Sequence, residues 1–178
     1  MNFEIEYRAK FDQKKYDELR AFLDKNAKSL GEDNKDCYYY IFEDKLLKVV
    51  SNTSQKTAKI SLKLNRIGQG AVFPEMEFYF RPDQFDVARR VFDSLKLPAK
   101  VMHGPQERIN YSYEECEIAL KWSDAWGYHL EIEQVVGDRD KQVAVEIHIH
   151  EVAKKLGVHL MDEDELREFT HRAEESAT

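Results

Sequence analysis

Residues 2–11 read NFEIEYRAKF, and a period of two runs through them without a break. Phe3, Ile5, Tyr7, Ala9 and Phe11 fall on one face of a strand, and Glu4, Glu6, Arg8 and Lys10 on the other. Asp12 can then cap a helix running to about Lys28. Its Tyr16, Leu19, Phe22 and Leu23 form an apolar stripe, and the apolar face of the preceding strand is a natural partner for it.

The same alternation returns downstream. It is read at 36–41, at 46–50 and at 58–65, with the polar segment 51–56 as a hairpin loop. After a loop holding Gly68 and Gly70 it reappears at 75–81, where Glu75, Glu77, Tyr79 and Arg81 oppose Met76, Phe78 and Phe80. Pro82 and Asp83 open a second amphipathic helix that buries Phe85, Ala88, Val91, Phe92 and Leu95 and stops before Pro98. Strand patterns follow at 108–113, 117–122 and 128–135, with Gly127 in a turn or bulge. Two helices close the chain, 138–156 with Gly157 as its stop and 162 to about 174, and residues 174–178 are expected to fray. The pattern predicts one α+β domain over residues 1–178. Its antiparallel strands, within about 2–135, form a curved sheet or barrel with the helices packed outside.

Three strands each carry a Glu-x-Glu pair: Glu4 with Glu6, Glu75 with Glu77, and Glu131 with Glu133. Residues two apart on a strand are about 6.5 to 7 Å apart, so at an effective dielectric of about 20 each pair repels by about 2 kcal/mol. Water hides that cost on an open face, but a concave interior does not. Arg8, Lys10, Lys59, Lys63 and Arg81 share the polar faces, and Arg108, Asn110 and Ser112 extend the set. On any one strand, alternation is also the pattern of an ordinary sheet with one wet face. Three acidic pairs, with helices enough to cover the apolar faces, leave the charged faces to solvent or to a ligand. The fitting ligand is an anion held through a hard divalent cation such as Mg²⁺ or Mn²⁺.

The remaining chemistry is sparse. A balance of 27 Lys and Arg against 34 Asp and Glu, net charge −7, argues against a general nucleic-acid or membrane-surface binder. No apolar run approaches bilayer length and the start of the chain is alternating and charged, so a soluble, unsecreted protein is expected. Cys37 and Cys116 match no disulfide framework or zinc spacing, which fits a reducing cytoplasm. His148 and His150 lie two apart on a predicted helix and do not share a face. Tyr38, Tyr39, Tyr40, Trp122 and Trp126 can stack on a nucleobase at a barrel mouth, with core packing as the use for most of them. Neither a P-loop nor a nucleophile motif is present.

EIEYRAK at 4–10 resembles the ExExK signature of the CYTH superfamily, the triphosphate tunnel metalloenzymes that include class IV adenylyl cyclases, thiamine triphosphatases and inorganic triphosphatases. LKWSDAWGYHLEIE at 120–133 resembles the strand, turn and strand of that family ending in E-I-E. DCYYY at 36–40 is similar to its D-x-Y-[FY] segment, and KISLK at 59–63 and PEMEF at 74–78 resemble its central lysine and acidic strands. The resemblance implies an eight-stranded antiparallel tunnel. In it Glu4, Glu6, Glu131 and Glu133 hold Mg²⁺ or Mn²⁺, supported by Glu75 and Glu77, while Arg8, Lys10, Lys48, Lys63 and Arg108 face phosphate, beside the polar-face cations Lys59 and Arg81. Arg8 and Lys10 are the expected catalytic cations.

The sequence departs from that pattern at four places. Arg8 replaces the signature lysine and cannot act as a general base, which leaves Lys10 for that task. Val49 and Val50 lose a cation from the L-R-I-R segment, the arginine before the central acidic pair is missing, and Lys121 replaces an aspartate. The expected activity is metal-dependent hydrolysis of an inorganic or organic triphosphate. The alternatives are conversion of ATP to cyclic AMP and pyrophosphate, and a noncatalytic triphosphate- or polyphosphate-binding module. The expected partner is a triphosphate-containing small molecule, with a second copy of the chain as a candidate for assembly.

Overall fold

The computed structural model of the chain describes residues 3–65 and 71–176; the loop with Gly68 and Gly70 and the last two residues lie outside them. The opening strand is β1 (Phe3–Lys10), followed by α1 (Gln13–Asn26). Asp12 caps that helix, its Oδ1 accepting the Lys15 N–H at 2.8 Å. Then come β2 (Lys28–Glu32), β3 (Lys35–Ile41), β4 (Leu46–Asn52), β5 (Thr57–Lys63) and β6 (Val72–Phe80). Helix α2 (Phe85–Ser94) leads to β7 (Lys100–Tyr113), β8 (Cys116–Trp122) and β9 (His129–Val136), and α3 (Gln142–Leu156) and α4 (Glu163–Ser176) finish the fold.

The strands pair antiparallel in the order β7-β3-β4-β5-β6-β1-β9-β8, and β8 pairs back onto β7. The result is a closed eight-stranded barrel, with β2 as an extra strand beside β7 and four helices packed around it. Strand β7 makes the closure: Lys100–Gln106 pair with β3, whereas Glu107–Tyr113 pair with β8. Strand β2 lies end to end with β3 along the same edge of β7.

Parity decides what faces outward. Ile5 and Ala9 of β1, Tyr111 of β7, Ile118 and Leu120 of β8, and Leu130 and Ile132 of β9 are fully buried in one core with Leu19 and Leu23 of α1 and Ile149 and Val152 of α3. A smaller core joins Tyr40, Leu47 and Val49 to Phe85, Ala88 and Phe92 of α2. The greasy faces therefore lie outside the barrel under helices, and the charged faces line its interior. Helix α3 stops at Gly157, whose φ of 62° is the left-handed conformation glycine takes without strain.

Several boundaries differ from the sequence reading. Strand β2 carries no sequence signal: KSLGE has no alternation to bury, and the predicted helix runs on to about Lys28. Strand β4 continues to Asn52, so the hairpin turn is shorter than 51–56. Strand β7 runs unbroken from Lys100 to Tyr113, so the strand-like pattern that begins at Val101 and the strand at 108–113 are one element. Glu174 and Glu175, expected to fray, are in the last turn of α4.

Candidate functional site

The barrel encloses a cavity of about 540 Å³. Eight carboxylates line it (Glu4, Glu6, Asp33, Glu75, Glu77, Glu117, Glu131 and Glu133) beside seven cations (Arg8, Lys35, Lys48, Lys59, Lys63, Arg108 and Lys121). Near-balance in number conceals a division in space. The contiguous strands β6, β1 and β9 carry three acidic pairs, whereas β7, β3, β4 and β5 carry Arg108, Lys35, Lys48, Lys59 and Lys63. One wall is acidic and the opposite wall basic.

Glu4, Glu6 and Glu133 converge on the acidic wall. One carboxylate oxygen from each lies within 4.8 Å of the other two, and divalent-ion bonds to carboxylate run about 2.0 to 2.6 Å, so one ion reaches all three with little movement. Burial pushes the Glu133 carboxyl up to about 7, against the pull of Arg108 and helped by repulsion from Glu4, Glu6 and Glu131. Burial also raises Glu6, partly offset by Arg8. A site that holds its carboxylates at this cost fits a divalent cation. The donor set, all oxygen and all anionic when loaded, suits a hard ion.

Around this cluster the ion pairs are dense. Lys63 Nζ lies 2.7 Å from Glu4 Oε1 and 2.9 Å from Glu6 Oε2, and both glutamates hold the buried ammonium strongly protonated despite its desolvation. Arg8 touches Glu6 and donates through Nε to Glu131 Oε1 at 3.0 Å; its Nη1 is buried without a hydrogen-bond partner. Lys121 pairs with Glu131, yet burial pulls its amine down to about 8, with Arg108 and Arg8 adding to the effect and Glu131 opposing it. Glu131, buried among Lys121, Arg8 and Arg108, stays ionised well below the usual carboxylate range even though desolvation raises it.

The basic wall is more loosely held. Arg108 spans Asp33 at 3.1 Å and Glu117 at 3.2 Å, and reaches Glu131 at 3.7 Å. Lys48 lies 3.9 Å from Glu75, and Lys59 pairs with Glu77. The Glu75 carboxyl is raised by burial but pulled down further by Lys48 and Lys63, to about 2. These are the fork and point donors that suit phosphate oxygens.

Eleven of the thirteen residues singled out from the sequence line this cavity; Lys10 and Arg81 do not. Lys10 is exposed at the end of β1, its Nζ 6.0 Å from the centre of the Phe169 ring on α4. Strand parity is right there, but the barrel interior ends before it. Arg81 follows the last residue of β6 and pairs with Asp83 in solvent. Charged and polar lining residues that the sequence did not single out include Asp33, Lys35, Asn52, Gln55, Thr57, Gln106, Glu117 and His129. Strand parity could have supplied two of them, since Lys35 shares one face of β3 with Cys37 and Tyr39, and Glu117 shares one face of β8 with Ala119 and Lys121. His148 and His150 take no part: the first meets the Glu114 carbonyl at 2.6 Å and the second packs edge-on against Tyr7.

The sequence matches no protein-family model and no curated protein. Solved structures do match. The PH1819 protein from Pyrococcus horikoshii OT3 superimposes with a TM-score of 0.73 at 18% identity, over 90% of this chain and 93% of that one. A candidate adenylate cyclase from Vibrio parahaemolyticus gives 0.69 at 13% identity, over 90% and 93%. The chain shares the fold of these solved structures. HpAC1 from Hippeastrum, a candidate adenylyl cyclase described as having a dominant triphosphatase activity, shares the same fold at a TM-score of 0.63 and 15% identity, over 90% of each chain. Identities this low carry the fold alone and leave activity to the residues of the tunnel itself.

Proposed function

We infer that the tunnel binds a triphosphate chain together with a divalent metal and hydrolyses it. The observation that supports this reading is the division of one interior into an acidic wall with three convergent carboxylates and a basic wall of lysines and arginine. A triphosphate lying between them meets Lys35, Lys48, Lys59 and Arg108 on one side, while Glu4, Glu6 and Glu133 hold Mg²⁺ or Mn²⁺ on the other. The ion, when bound, neutralises phosphate charge and polarises a phosphoryl oxygen. The activity described for HpAC1 agrees with this reading.

The proton from an attacking water needs an acceptor. Despite its burial, the Glu6 and Glu131 carboxylates hold Arg8 permanently protonated, so it serves as an electrostatic clamp. Lys10, outside the cavity, is too far out to serve. Lys121, its amine drawn down to about 8, takes that role. A second reading, cyclisation of ATP with release of pyrophosphate, is favoured by the Vibrio neighbour. The noncatalytic alternative rests on the same walls without turnover.

The test is incubation with inorganic triphosphate or ATP and Mg²⁺ or Mn²⁺, with phosphate, pyrophosphate and cyclic AMP measured beside a Glu4→Gln, Glu6→Gln double variant. Metal-dependent phosphate lost in the variant supports hydrolysis. Cyclic AMP with pyrophosphate selects the cyclase, and binding without product selects the module.

A further inference from the structure

A second space of about 200 Å³ adjoins the tunnel, lined by residues 102–106 of β7 and by 123–126 of the turn between β8 and β9. Tyr39, Gln106 and Trp126 line both spaces, so the two lie side by side with these residues at their boundary. Its position is unusual. Met102, Gly104 and Gln106 face into the barrel, while His103 and Pro105 face out, and a space touching both sets lies over the edge of the strand rather than on one face.

That edge is open because β8 pairs with β7 only from Glu107 onward. Arg108 turns its N–H to Asn34 Oδ1 (2.9 Å) and its carbonyl to the Asp33 N–H (2.8 Å), on the side of β2 and β3. Alternation along the strand sends the odd-numbered residues the other way. The His103 N–H and C=O and the Pro105 carbonyl therefore face the gap with no strand opposite them among the described residues. A proline, lacking an N–H, is the residue an unpaired edge tolerates.

Two side chains complete the space. Gln106 is 9% exposed, and its amide makes no hydrogen bond among the described residues. Trp126 is braced by Phe169, with ring centres 5.2 Å apart, and presents an aromatic surface to both spaces. Gly104 leaves the floor empty, since a Cβ there would meet no atom within 4 Å.

We propose that this window is the site for a planar nitrogen heterocycle, the base of a nucleoside triphosphate whose phosphates lie in the tunnel. The ring stacks on Trp126, and its donor–acceptor edge pairs with the free β7 backbone and the Gln106 amide. The proposal rests on the triphosphate reading and narrows it from inorganic to nucleoside substrates.

Calorimetric titration with Mg²⁺ present, using ATP and inorganic triphosphate separately, tests it on the wild type, Gly104→Leu and Trp126→Ala. Gly104→Leu fills the window and should weaken ATP binding about tenfold, the worth of about one base stack, while leaving inorganic triphosphate unchanged. That unchanged binding also reports an intact fold. Trp126→Ala should weaken ATP to a similar degree, and photolabelling with 8-azido-ATP should mark 100–106 or 123–126. Wild-type ATP affinity in both variants, equal loss of both ligands in Gly104→Leu, or label placed elsewhere overturns the proposal. If inorganic triphosphate binds the wild type and these outcomes are negative, the base site alone fails; if neither ligand binds the wild type, the tunnel reading fails with it.

Discussion

Glu133→Gln should stabilise the metal-free protein above pH 7. Burial and the neighbouring carboxylates place the Glu133 carboxyl at about 7 in the folded chain, against an ordinary value of 4.5. A carboxyl raised on folding is protonated in both states below about 4.5, and stability is then lost as pH rises from there to about 7. The gap of about 2.5 units corresponds to about 3 kcal/mol as a ceiling, nearly all of it present at pH 8 and under about 1 kcal/mol of it at pH 5. Glutamine keeps the shape and removes the charge. Urea unfolding in EDTA at pH 5 and pH 8 should therefore show a gain for the variant that is large only at the higher pH. With Mg²⁺ the order reverses, because the ion needs the carboxylate: the wild type should gain stability and release about 0.9 proton on binding at pH 6. Equal destabilisation of the variant at both pH values without metal would refute the claim that this carboxylate is held at a cost.

Lys63→Met leaves Glu4 and Glu6 without the ammonium 2.7 and 2.9 Å away, and should cost about 3–5 kcal/mol in denaturant unfolding, the usual loss for half a buried ion pair. Lys10→Ala and Arg81→Ala, outside the tunnel, should leave triphosphate affinity within about twofold, whereas Lys48→Ala on the basic wall should lower it about tenfold, one charge-assisted contact; calorimetry separates the two classes. Ile149→Ala, on the fully buried face of α3, should cost about 2–5 kcal/mol without altering affinity.

The alternation of residues 2–11 was enough to assign the two faces of β1, and the helices showed where the greasy faces would go. What the sequence concealed was closure. Nothing local in KSLGE marks it as a strand, because its pairing to β7 is made by backbone and its side chains stay in water. Nor does local pattern show where the interior ends, which is why Lys10 and Arg81, correct in parity, fall outside. The convergence of Glu4, Glu6 and Glu133 comes from the pairing of β1 with β9, where Glu6 stands opposite Glu133. The two Glu-x-Glu pairs are visible in sequence, but their register is not. The window beside β7 depends on where β8 stops pairing, a tertiary fact with no sequence signal beyond Pro105 and Gly104.

The most direct test of the central claim is the binding of inorganic triphosphate to the purified protein with and without Mg²⁺, followed by calorimetry. The two-walled tunnel predicts tight binding that weakens strongly in EDTA and is lost in the Glu4→Gln, Glu6→Gln variant. Absence of binding in Mg²⁺, or binding indifferent both to the metal and to those two glutamates, would contradict it.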